Sequence, residues 1–96
     1  MNGVRGETRV RLAGEERTLC LTLGALAEIE TLLAIDGLAG LADRMRTLSA
    51  RDLTVVLAAL LRGGGETVLA EGLSGAAIDP REAADAVVRA FMAAVE

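Results

Sequence analysis

Between Glu7 and Leu23 polar and apolar residues alternate. Thr8, Val10 and Leu12 fall on one side, Arg9 and Arg11 on the other, and Leu19, Leu21 and Leu23 repeat the spacing. A period of two is the signature of a half-buried strand, so the pattern predicts an antiparallel hairpin over 7–23. A two-residue turn at Gly14-Glu15 pairs Val10 with Leu19 and Thr8 with Leu21, which brings both apolar faces together. Gly14 suits the positive φ of such a turn, and a three-residue turn is the alternative. Two strands alone are marginal in water, so helices must cover the Leu face.

From Thr22 onward the spacing changes to that of helices. Thr22 is placed to cap a helix over 23–35, with Leu21 and Leu26 at the spacing of a hydrophobic staple. Leu26, Ile29 and Leu33 form its core stripe, Glu28 and Thr31 fall opposite, and Asp36-Gly37 offers a left-handed stop. A short helix over 38–46 follows. Ser49 as cap, Asp52 three residues on and the Leu48/Leu53 staple then start a helix over 50–62 that ends at Gly63-Gly64-Gly65. One or two helical turns fit 66–71, and 72–78 reads as a loop. Asp79-Pro80-Arg81-Glu82 opens the last helix, over 80–95. Its expected inward face is Ala84, Val87, Val88, Phe91 and Val95, with Glu82, Asp85 and Arg89 outward and Asp85 and Arg89 spaced to pair. The fold class is α+β: an N-terminal antiparallel hairpin packed against about four α-helices, in a single domain over 1–96.

Composition narrows the chemistry. The 96 residues contain ten Arg, no Lys and no His, and fourteen Asp plus Glu, for a formal charge of −4. An acidic balance and a lone aromatic, Phe91, supply neither the phosphate contacts nor the stacking that nucleic acids need. Without His, Lys or Tyr the commonest general base, the Schiff-base amine and the phenolic acid are all missing, so no catalytic residue, cofactor or metal is expected. Gly63-Gly64-Gly65 is followed by Glu66 and not by the Lys and Ser/Thr of a phosphate loop, which leaves the helix-stop reading. Glu28 with Glu30, and Glu15 with Glu16, point apart and read as solvated. Cys20, opposite the Leu face, has no partner for a disulfide and no cation to activate it, so it reads as packing. The start, Met1 to Gly6, lacks the apolar core of a leader, and no apolar run approaches the roughly 18 to 20 residues of a membrane span. The expectation is a soluble, cytoplasmic protein.

Hydrophobic residues still make up 52% of the chain, enough for a core but one short of large side chains that partner contacts could complete, and two surfaces stand out as candidates for binding protein partners. On helix 50–62 the stripe Leu53, Val56, Leu57, Leu60 and Leu61 faces the core, while Val55, Ala58 and Ala59, flanked by Arg51 and Arg62, lie on the other arc. That arc is either wrapped internally, the preferred reading because small residues admit a second helix, or offered to a partner. The hairpin is the second surface. Its edges can accept another strand, and Arg9, Arg11 and Arg17 decorate it as contacts or as charges that keep the ribbon soluble.

The order of segments carries a resemblance over nearly the whole chain. Arg5-Gly6-Glu7, a strand, Gly14-Glu15-Glu16 and Leu21-Thr22-Leu23-Gly24-Ala25-Leu26-Ala27-Glu28-Ile29-Glu30 are followed by Leu48-Ser49-Ala50-Arg51-Asp52-Leu53. Leu61-Arg62-Gly63-Gly64-Gly65-Glu66 and an Ala-rich closing helix complete the series. In this order they resemble the gene transfer agent and phage tail assembly chaperone family, a small tail protein sometimes labelled a tail tube component. The resemblance implies a non-enzymatic protein that coats the tape measure protein, recruits major tail tube subunits and departs before the tail is finished, with possible homo-oligomers. The alternatives are a structural tube or connector subunit retained in the particle, and a small regulatory protein-binding domain.

Overall fold

The computed structural model describes residues 6–95. Arg5 of the first quoted segment, and the start over 1–4 read above as lacking a leader core, lie outside the described residues. The elements run β1 (Glu7–Leu12), β2 (Glu15–Cys20), α1 (Leu23–Leu33), α2 (Gly37–Met45), α3 (Ala50–Gly63), α4 (Thr67–Glu71), a 3₁₀ turn (Leu73–Gly75) and α5 (Pro80–Val95). The fold is therefore α+β, an antiparallel hairpin under five helices.

The hairpin register differs from the expected one. Thr8 faces Leu19, Val10 faces Arg17 and Leu12 faces Glu15, so the turn is Ala13-Gly14, one residue earlier than Gly14-Glu15. Moving each partner by two residues leaves every side chain on its own face, and hydrophobic alternation is blind to that change. Turn chemistry decides instead: Ala13 and Gly14 have φ of 54° and 81°, the pair of positive values of a type I′ turn, which favours glycine in second place. The left-handed region costs an L-residue about 1–2 kcal/mol, and asparagine tolerates it better than alanine. Ala13→Asn should stabilise the protein by about 0.5–1 kcal/mol, seen as a higher urea midpoint at unchanged slope. A lowered midpoint would contradict this turn.

β2 stops at Cys20, so Leu23, expected on the strand's apolar face, instead opens α1 and is exposed. Thr22 caps α1 as expected, its Oγ1 accepting the Ala25 N–H at 3.0 Å. The buried stripe is Ala25, Ile29 and Leu33, with Leu26 only half-buried. α1 ends at Ala34, whose φ is 56°, rather than at Asp36-Gly37, because the Ala34 and Ile35 amides both close onto the Glu30 carbonyl. Asp36 instead stands before α2 as its first flanking residue.

α3 is the axis of the core. Ser49 Oγ accepts the Asp52 amide at 3.1 Å and starts the helix, and every residue from Val56 to Leu61 is buried. The hairpin, α1, α4 and α5 all contact it, which is how a helix apolar nearly all round is accommodated. α5 begins at Pro80, with Asp79 Oδ1 accepting the Arg81 amide at 2.9 Å. Its buried face is Ala83, Ala86, Val87 and Ala90. The expected inward set is thus rotated: Ala84, Val88 and Val95 are exposed and Phe91 is half-buried. Alanines allow α5 to lie close to α3 and β1, where a stripe of larger residues would hold it away. Asp85 and Arg89 pair at 3.1 Å on the outer face.

Candidate functional site

The two edges of the hairpin end up in different states. A two-residue hairpin makes Leu12 and Glu15 a hydrogen-bonded pair, and such pairs alternate along the ladder, so Glu16, Thr18 and Cys20 turn their backbone groups outward from β2. The end of α3 and the residues just after it close that edge. The Thr18 N–H donates to Glu66 Oε2 at 2.9 Å, and Arg17 Nη1 lies 3.6 Å from Glu66 Oε1. Arg17, expected to decorate the exposed ribbon, therefore sits opposite Val10 and is largely covered. A Cβ on Gly64 would stand 2.0 Å from the Thr18 carbonyl oxygen, and one on Gly63 would stand 2.1 Å from that of Cys20. The glycine run ends the helix as expected, and it also lets the helix end rest directly on strand backbone.

On β1 the outward groups belong to Glu7, Arg9 and Arg11, and no backbone partner meets them on that side among the described residues. Both arginines are exposed, as the hairpin alternation predicts. Arg9 pairs with Glu16 at 3.2 Å. Arg11 donates to the Gly14 carbonyl at 3.2 Å and has no carboxylate partner among the described residues.

The α3 arc proposed as a second surface is divided. Ala58 is 8% exposed, Ala59 is fully buried and Val55 is half-buried. Those alanines are core, as the preferred reading of internal wrapping requires, and neither is open to a partner. Arg51 is exposed at the start of α3. Arg62 is held by Glu28, its Nε lying 3.1 Å from both carboxylate oxygens while Nη2 also donates to Oε2. Glu28 is therefore no solvated bystander but ties α1 to α3, and it raises the Arg62 pKa. Glu30 is likewise engaged, accepting the Gly37 amide at 2.6 Å.

One polar cluster escaped the sequence reading. Asp52 is buried and accepts from Arg44 Nε at 2.8 Å and Nη2 at 3.3 Å, while Arg44 Nη1 donates to the Leu33 carbonyl at 3.1 Å. A single guanidinium thus joins the end of α1, α2 and the start of α3. The hydrogen bonds from Arg44 hold the Asp52 carboxyl below its usual range, with the Ser49 cap adding to the effect. Because the folded pKa is depressed, this contribution to stability is complete above the unfolded value of about 4 and is lost as pH falls through the folded value. Asp52→Asn should lower the urea midpoint at pH 7 and flatten its fall below about pH 4. An acid limb as steep as wild type would show that Asp52 is not its source.

The remaining groups offer little chemistry. Cys20 is buried, and burial, followed by the Glu7 charge opposite it, pushes the thiol up and keeps it protonated. Among the described residues no three His, Cys, Asp or Glu stand close enough to hold a metal ion. Among the described residues no helix is long and apolar enough to cross a membrane. An apolar groove of about 100 Å³ runs between α2 and α5, lined by Leu21, Leu38, Leu41, Ala42, Phe91 and Val95.

Comparison with known proteins agrees with the segment order. Residues 5–96 match the family described as phage tail tube protein, GTA-gp10. No curated protein and no solved structure matched the chain. With the match covering residues 5–96, this chain belongs to the GTA-gp10 family of phage tail proteins.

Proposed function

We propose that the protein is a non-enzymatic component of the tail tube of a phage-like particle or gene transfer agent and works through protein contacts alone. The family match over residues 5–96, to a family described as a tail tube protein, is the observation that carries this reading. Its partners are then the major tail tube protein and neighbouring copies, met first in the host cytoplasm where tails are built. Mass spectrometry of purified particles tests it. A retained subunit appears in many copies per particle and its deletion leaves particles without tube, whereas absence from finished particles rules retention out.

A second reading is the assembly chaperone, which binds the tape measure protein and then leaves. Its support is the meagre strand content among the described residues, β1 and β2, with one of the two edges already closed. A wall of continuous sheet needs subunits with two open edges. Co-expression with the tape measure protein of the same gene cluster is expected to raise that protein's soluble yield under this reading and to leave it unchanged under the first.

A further inference from the structure

The hairpin has one edge closed by its own chain and one edge open, and the open edge is complementary to itself. We propose that two copies of this chain pair through β1, antiparallel, about a two-fold axis at Arg9, forming a single sheet in the order β2-β1-β1-β2. The proposal rests on edge geometry and charge and concerns the free protein, before it meets any other tail component.

The outward residues of β1 are Glu7, Arg9 and Arg11. Antiparallel pairing about Arg9 sets Glu7 of each copy opposite Arg11 of the second copy. Arg11 is the cation that finds only the Gly14 carbonyl within its own chain among the described residues. The two Arg9 side chains face each other at the axis, and each already carries its own Glu16 at 3.2 Å, so no bare like-charge pair results. In this register Glu7, Arg9 and Arg11 each exchange N–H and C=O bonds with the residue opposite, which uses every outward group of the strand. On the covered face Thr8 meets Val10 of the second copy, extending the apolar side of the sheet.

Neighbouring registers are worse. A slip of two residues one way sets Arg9 against Arg11 twice, and the opposite slip carries Arg11 past the end of the second copy's β1. Parallel pairing aligns Arg9 and Arg11 with their own kind, a destabilising arrangement across strands. The two-fold also places both helical layers on one side of the joined sheet. α5, packed on β1, then lies beside the axis with its exposed Val88 and Met92 available to bury against the second copy.

Growth stops at two. Adding a third copy needs the outer edge of β2, where Glu66 takes the Thr18 amide and Gly63 and Gly64 rest on the strand carbonyls. The result is a closed, isologous dimer and not a ring or filament of continuous sheet.

Sedimentation equilibrium on the full chain tests this, with the thermal midpoint as a check on folding. Wild type is expected to be a dimer that dissociates to monomer on dilution. Arg9→Pro removes an N–H that points away from β2 and so spares the ladder. It should leave the thermal midpoint near wild type while weakening dimerisation at least about 100-fold. Glu7→Arg should weaken the dimer about tenfold, and adding Arg11→Glu to the same chain should restore it, because each cross-strand pair is then reversed. A wild-type monomer at millimolar concentration overturns the proposal, as do a dimer that survives in folded Arg9→Pro, a charge reversal that fails to rescue, and a larger ring.

Discussion

Leu57→Asp is expected to leave the chain unfolded at neutral pH. Leu57 is 2% exposed on α3, the helix that β2, α1, α4 and α5 all contact. An unpaired carboxylate placed there costs several kcal/mol against a total stability of about 5–15 kcal/mol. Ala59→Glu is expected to do the same from the opposite side of the helix, since Ala59 is fully buried and a glutamate there must also displace its neighbours. Val55→Glu, at a half-buried position, should cost less. Far-UV circular dichroism and urea titration read all three. A folded Ala59→Glu variant with the wild-type midpoint would mean that this arc is a surface after all.

Gly63→Ala and Gly64→Ala should be nearly as damaging although each adds one methyl. The added carbon would lie 2.1 Å from the Cys20 carbonyl oxygen or 2.0 Å from that of Thr18, and both obstacles are backbone. Relief requires withdrawing the end of α3 from β2, which also pulls Glu66 off the Thr18 amide. Overpacking of this kind costs about 1–3 kcal/mol, and the lost charge-assisted hydrogen bond adds to it. Gly72→Ala is the control: its new methyl meets nothing nearer than the Val68 oxygen at 3.7 Å, so its midpoint should stay close to wild type. Equal effects at all three glycines would refute the packing argument.

What could be read from the sequence follows from how local each signal is. Caps depend on residues two or three apart, and Thr22, Ser49 and Asp79 each receive a backbone amide at that spacing. Alternation placed Val10, Leu12 and Leu19 on one buried face, yet it had no power over the register, because a two-residue offset preserves faces. The rotation of α5 escaped for a related reason. A helix rich in alanine has a weak preference for which face turns inward, and large residues such as Val88 can stay outside when close approach favours Ala86 and Ala90. The polar links Arg44–Asp52, Arg62–Glu28 and Arg17–Glu66 were illegible. The last two join distant segments, and Asp52 had a sufficient local explanation as a capping residue. The candidate surface was half legible: Arg9 and Arg11 do flank an open edge, but only the folded chain shows that the other edge is shut.

The bond from Thr18 to Glu66 spans 48 residues, and this has a bearing on birth order at the ribosome. The hairpin emerges early, while the groups that seal its second strand are synthesised only when residues 63–66 appear. During that interval both sides of the ribbon are unprotected, and a nascent chain has twice as many places to stick as the finished one. The arrival of Glu66 behind α3 is therefore the moment at which a ribbon open on both sides becomes a ribbon open on one.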